Sequence, residues 1–236
     1  MDVASLRPSV DDLWAAAVAH LDRDLRSDID FEHAEKREVV SEVLRITDEA
    51  RSQHAAKAWR LRRKNGATVS VRDVLAKIAK WADGFKEIGD VAVQYDPAHA
   101  ALPWGGVRFL LQIAVDDFHA YSFVLESISS LAELLCRYAC VEELLLRFSA
   151  TPQNAASPPG PAQELRRALL QLYVRVLTYL ARARAYFRQS TAKRIVKSAL
   201  LQASNLEESF VLIAAAQKDA DCCFHVASVQ GMPPAI

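Results

Sequence analysis

Three observations predict an all-α protein, an elongated bundle of several long antiparallel helices. Seven glycines and nine prolines in 236 residues are few, and they gather where the helical pattern breaks. Apolar residues recur at three- and four-residue steps over long segments. No alternating β pattern of useful length interrupts them.

The elements follow in order. Ser9 precedes Val10-Asp-Asp-Leu13 with Asp12 three residues on, a capping-box-like start to a helix reaching about Arg26. A second helix, charged and weakly apolar, is expected from Phe31 to Arg63, stopping near Asn65-Gly66. The third has a clear start, with Ser70 as cap, Asp73 at the third helical position and Val69 facing Val74 as a hydrophobic staple. Its stripe of Val71, Val74, Leu75, Ile78, Trp81, Ala82, Phe85, Ile88 and Ala92 implies one buried face, and it ends near Tyr95, before Asp96-Pro97.

From Pro103 the helical spacing continues through Val107, Leu110, Leu111, Ala114, Phe118, Leu125, Ile128, Leu135, Val141 and Leu145 to Phe148, so one central helix is expected, bent near Ser129-Ser130. At 1.5 Å per residue an unbroken helix of about 45 residues would exceed about 60 Å, hence the elongated bundle. The Pro/Ala/Ser-rich stretch 149–162 has no period and reads as a loop. Pro161 suits the first turn of the next helix, whose stripe of Leu165, Leu169, Leu172, Tyr173, Val176, Leu177, Leu180 and Phe187 lies opposite Arg166, Arg167, Arg175 and Arg182. A last helix is expected from Leu206 to Ser228, capped by Ser204 or Asn205, with Glu207 and Glu208 in its first turn and Gly231 ending it. Residues 1–66 thus form N-terminal helices with a basic cluster at 57–64, 67–228 the bundle, and 229–236 a tail or linker, in one continuous domain.

The stretch Ala101-Leu-Pro-Trp-Gly-Gly106 could cradle a phosphate or serve packing. A phosphate loop needs a preceding strand and a following Lys-Ser/Thr, and Val107-Arg108 stands there instead. Packing is the better reading: Pro103 lacks the amide hydrogen that a first turn leaves unpaired, Gly105 and Gly106 let another helix approach, and Trp104 covers the contact.

Twenty-nine basic and 29 acidic residues balance to a net charge of zero, so nothing global suggests a nucleic-acid partner. The N-terminus, MDVASLRPSVDD, is acidic where a signal peptide would be basic, which points to the cytosol. The longest uncharged apolar run near the C-terminus, Ser209 to Gln217, is about half of what crosses a bilayer. Cys136, Cys140, Cys222 and Cys223 are too few and too grouped for a disulfide framework, so reduced thiols are expected.

The order Tyr95-Asp-Pro97, Ala101-Leu-Pro-Trp-Gly105 and Phe109-Leu-Leu-Gln-Ile113 resembles the helical domain at the N-terminus of fungal NACHT-type STAND ATPases, relatives of NOD-like receptors linked to heterokaryon incompatibility and regulated cell death. Glu164-Leu-Arg-Arg-Ala-Leu-Leu-Gln-Leu-Tyr173, Leu177-Thr-Tyr-Leu180 and Ala185-Tyr-Phe-Arg188 are similar to a later helix of that family. The resemblance covers roughly residues 70–220. It implies a full-length protein with a NACHT module and repeats, neither of which is present here; no GxxxxGK[ST] occurs in the chain, so it has no NACHT-type ATP site. It implies no catalytic residue and no cofactor. Its implied role is signalling or effector action through helix contacts, with protein partners that include the chain itself; the alternative is a HeLo-like bundle that binds or permeabilises anionic membranes.

Candidate sites are few. Asp116-Asp117 with His119 offers metal-ligand types, but neighbouring helical positions point apart, and solvated charge is the better reading. Cys136 and Cys140 suit small fillers on a buried stripe. Cys222 and Cys223 with His225 would need a fourth ligand for zinc, and palmitoylation is an equal alternative. Glu142-Glu143 reads as solvent-facing and Glu207-Glu208 as a helix start, so no metal site and no enzyme are expected. Lys57, Trp59, Arg60, Arg62, Arg63 and Lys64 form the candidate lipid or partner contact. At a helix C-terminus they would complement the dipole; at a membrane each basic residue would contribute about 1 kcal/mol toward anionic headgroups. The cluster is too short to favour nucleic acid.

Overall fold

A computed structural model describes residues 13–27, 36–53, 60–62, 68–91, 101–116, 122–149, 160–188 and 199–231. They form α1 (Leu13–Ala19), α2 (Arg23–Ser27), α3 (Lys36–Gln53), β1 (Arg60–Arg62), β2 (Thr68–Ser70), α4 (Val71–Val91), α5 (Ala101–Asp116), α6 (Ser122–Ser149), α7 (Pro161–Arg188) and α8 (Ala199–Gly231). The molecule is an all-α bundle carrying one two-stranded ribbon.

The expected first helix is two. At the end of α1 the amide of His20 donates to the carbonyls of Ala16 and Ala17, and that of Leu21 to Val18, the tightening typical of a last turn. Arg26 then folds back, its guanidinium donating to the carbonyls of Ala19 and Leu21. It satisfies acceptors that the end of α1 leaves open. The Ser9 capping box lies outside the described residues.

The expected second helix stops at Gln53, and residues 60–62 are a strand instead. Arg60 pairs with Ser70, Leu61 with Val69 and Arg62 with Thr68, antiparallel. Five residues, Arg63 to Ala67, join the two strands in sequence. β2 passes straight into α4: Ser70 directly precedes the helix, Asp73 sits in its first turn, and Val69 and Val74 both join the core.

The segment expected as one central helix is described as two, α5 ending at Asp116 and α6 beginning at Ser122. α5 and α6 pack against each other. α6 runs through the two serines; Ser127 donates to the Phe123 carbonyl and Ser130 to that of Glu126, each one turn back. α5 is the inner helix, in contact with α3, α6 and α7. Nine of its 16 residues are buried, as expected of a segment apolar nearly all round.

α7 begins at Pro161, with Gly160 accepting amide bonds from Gln163 and Glu164. Its predicted stripe is buried from Leu165 through Leu180, Phe187 is half-buried, and Arg167, Arg175 and Arg182 are exposed. It packs along α8, its most extensive neighbour, and against α1. α8 starts by Ala199, so Ser204 and Asn205 lie inside the helix and not at its start; Glu207 and Glu208 are interior positions. The expected end at Gly231 is where the helix stops.

Candidate functional site

The Pro-Trp-Gly-Gly stretch is built into the core. α5 begins at Ala101, which leaves Pro103 within its first turn. Trp104 is 0% exposed, with its ring 5.0 Å from that of Phe85 on α4. Among the described residues its Nε1 has no hydrogen-bond partner. Gly105 and Gly106 are buried, and a β-carbon at Gly106 would meet Leu180 of α7 at 2.9 Å. Close helix approach, not anion binding, accounts for these residues.

The basic cluster is partly visible. Arg60 and Arg62 lie on β1, seven or more residues past the end of α3, and Arg60 is exposed. At these two positions the charge stands on a strand and not at a helix C-terminus. Lys57, Trp59, Arg63 and Lys64 lie outside the described residues, as do Asp117 and His119.

Polar contacts, some buried and some at the surface, pin the helices together. Glu142 is 5% exposed, against the solvent-facing expectation, and accepts a 3.1 Å hydrogen bond from the Tyr173 hydroxyl. The packing of α6 on α7 puts position 142 in their seam. Trp14 stacks on the Tyr173 ring at 3.8 Å and 5°, which fastens α1 to the same point. On the other side, Asp221 of α8 accepts from the Tyr138 hydroxyl at 2.7 Å and from Arg137 at 2.5 Å, both on α6. Burial first, then the Asp221 carboxylate, pushes the Tyr138 phenol far above its ordinary range. Arg182 donates to Ser209 at 2.7 Å, and Ser209 in turn to the Asn205 carbonyl. These are structural clamps between helices.

The thiols divide. Cys136 is buried beside Gly84, and burial pushes its pKa up to about 11. Cys140, expected on the same buried stripe, is exposed instead, although it lies only one turn beyond Cys136. Cys222 is exposed and Cys223 half-buried. Among the described residues no three His, Cys, Asp or Glu side chains gather as a metal site, and no helix is long and apolar enough to cross a membrane.

One surface was not singled out by sequence. α8 buries Leu206, Ser209, Ile213 and Ala220 yet leaves Val211, Leu212, Val226 and Val229 exposed, an apolar outer face on a helix already packed along its inner one.

No curated protein and no solved structure matches this chain. Residues 6–216 match the family described as the N-terminal domain of NWD NACHT-NTPase, and a helical bundle without a nucleotide-binding motif of its own therefore belongs to that family.

Proposed function

We propose that this chain is the signalling or effector domain of a NACHT-type NTPase, acting by helix contacts and oligomerisation in innate-immunity-like or incompatibility cell-death signalling. The observation that carries the reading is the family match across residues 6–216, which associates the bundle with an NTPase that would supply the nucleotide switch. The NACHT module belongs to the full-length protein, and repeat modules are expected after it. The exposed apolar face of α8 supports the reading, since a module that signals by contact needs unsatisfied surface. The domain works in the cytosol and performs no reaction of its own.

Forced clustering tests this. The chain is fused to a chemically dimerised module and expressed in yeast, with growth as the readout. Growth arrest only on addition of the dimeriser is the expected result; unchanged growth at equal expression overturns it. Flotation with vesicles containing anionic lipid, run beside neutral ones, decides whether residues 57–64 recruit the domain to membranes. Binding that R60E/R62E/R63E abolishes would support the membrane-active alternative.

A further inference from the structure

Four of the five exposed large apolar side chains among the described residues lie on α8. Val211 is 66% and Val229 73% exposed. At 3.6 residues per turn, Val211, Ala215, Cys222, Val226 and Val229 share one stripe, opposite the buried Leu206, Ile213 and Ala220. Ala215 and Cys222 are also exposed. Lys218 and Asp219, both exposed, flank the middle of the stripe on its two sides.

We propose that this stripe pairs with the same stripe of a second copy, as a parallel, in-register two-helix seam; the proposal rests on the oligomerising role above. Charge sets the orientation. In a parallel pair opposite flanks of the two helices meet, so Lys218 of each copy faces Asp219 of the other. In an antiparallel pair centred on these residues like flanks meet, which sets Lys218 against Lys218. The parallel register also brings Val211, Val226 and Val229 against their own counterparts, while Ala215 and Cys222 are small enough to let the helices close.

The seam is modest. From Val211 to Val229 it runs about 27 Å at 1.5 Å per residue. One helix pair of that length buries less than the roughly 1,600 Å² of a standard interface, so a dissociation constant of about 10–100 µM is expected. Such a contact is silent in a dilute chain and forms once a larger assembly raises the local concentration.

The test is sedimentation equilibrium of the native chain from about 5 to about 500 µM. The native chain should dimerise. K218E and D219K should each weaken the dimer about tenfold or more, because each sets like charges together. An equimolar mixture of the two single variants should associate, since both pairs are then opposite in sign, and K218E/D219K should regain native affinity. Diamide, which takes two electrons and two protons from a thiol pair as it is reduced to its hydrazine, should crosslink native chains through Cys222. The crosslink should survive C140S and C223S and vanish in C222S. Circular dichroism of each variant should match the native chain, the residues being exposed. A native chain that stays monomeric at the highest concentration overturns the seam, as do single variants that dimerise like the native chain or a crosslink that persists in C222S. None of these results would touch the signalling role, because forced clustering does not depend on the chain's own affinity.

Discussion

The side chain of Leu180 fills the space beside Gly106. A β-carbon there would lie 2.9 Å from Cδ1, 3.0 Å from Cδ2 and 3.2 Å from Cβ of Leu180. Leu180 is 1% exposed. The inner helix α5 and the long helix α7 thus meet so closely at Gly106 that a β-carbon there would force Leu180 to shift, and α7 also packs along α8.

Gly106→Ala should therefore destabilise the protein by about 1–3 kcal/mol, the usual cost of overpacking. Gly84→Ala is the contrast, because its β-carbon would lie 3.4 Å from the Cys136 sulfur, an ordinary contact. In mid-helix it should gain about 0.5–1 kcal/mol. Urea denaturation of the two variants checks the pair, and equal stability would refute the close approach.

Trp104→Ala should cost about 3–5 kcal/mol, the range for deleting a large buried aromatic side chain. The ring is fully enclosed and lies against Phe85. An unchanged melting temperature would show that the tryptophan serves something other than packing.

α4 and α7 were legible because each has one apolar face and a marked start, at Ser70 and Pro161. The division between α1 and α2 was not, since residues 20–22 contain neither glycine nor proline. Nor was that between α5 and α6, where the apolar spacing runs on in phase from Ala114 through Phe118. Three-residue strands are too short to show a two-residue period. Glu142 looked solvated because its burial depends on Tyr173, 31 residues away on another helix. The outer face of α8 was hidden by composition: with Leu206 and Ile213 inside and Val211 and Leu212 outside, apolar residues surround the helix and give no contrast from which to read a face.

Thiol reactivity should follow burial. At pH 8 an aromatic disulfide reagent should modify Cys222 and Cys140 in the native protein and leave Cys136 until denaturant is added. Cys136 is buried, and its raised pKa leaves almost no thiolate at that pH. Peptide mapping after partial modification reads the order, and early loss of Cys136 would contradict its place in the core.

Alkaline pH offers the last test. Tyr179 is 1% exposed, and burial pushes its phenol up to about 12 from the ordinary 10.0. A folded chain that holds its proton more tightly than the unfolded one is stabilised below pH 10, where both states are protonated. Above pH 10 the unfolded chain releases the proton first, so stability falls as pH rises toward 12. Two units at about 1.36 kcal/mol each set the full loss at about 3 kcal/mol, of which about 2 should be gone by pH 11.5. Tyr138 shifts in the same direction and adds to the slope. In Tyr179→Phe the group that titrates is absent, so its urea midpoint should fall less between pH 9 and pH 11.5 than that of the native chain. Parallel falls in the two proteins would show that ionisation of Tyr179 does not contribute to alkaline unfolding.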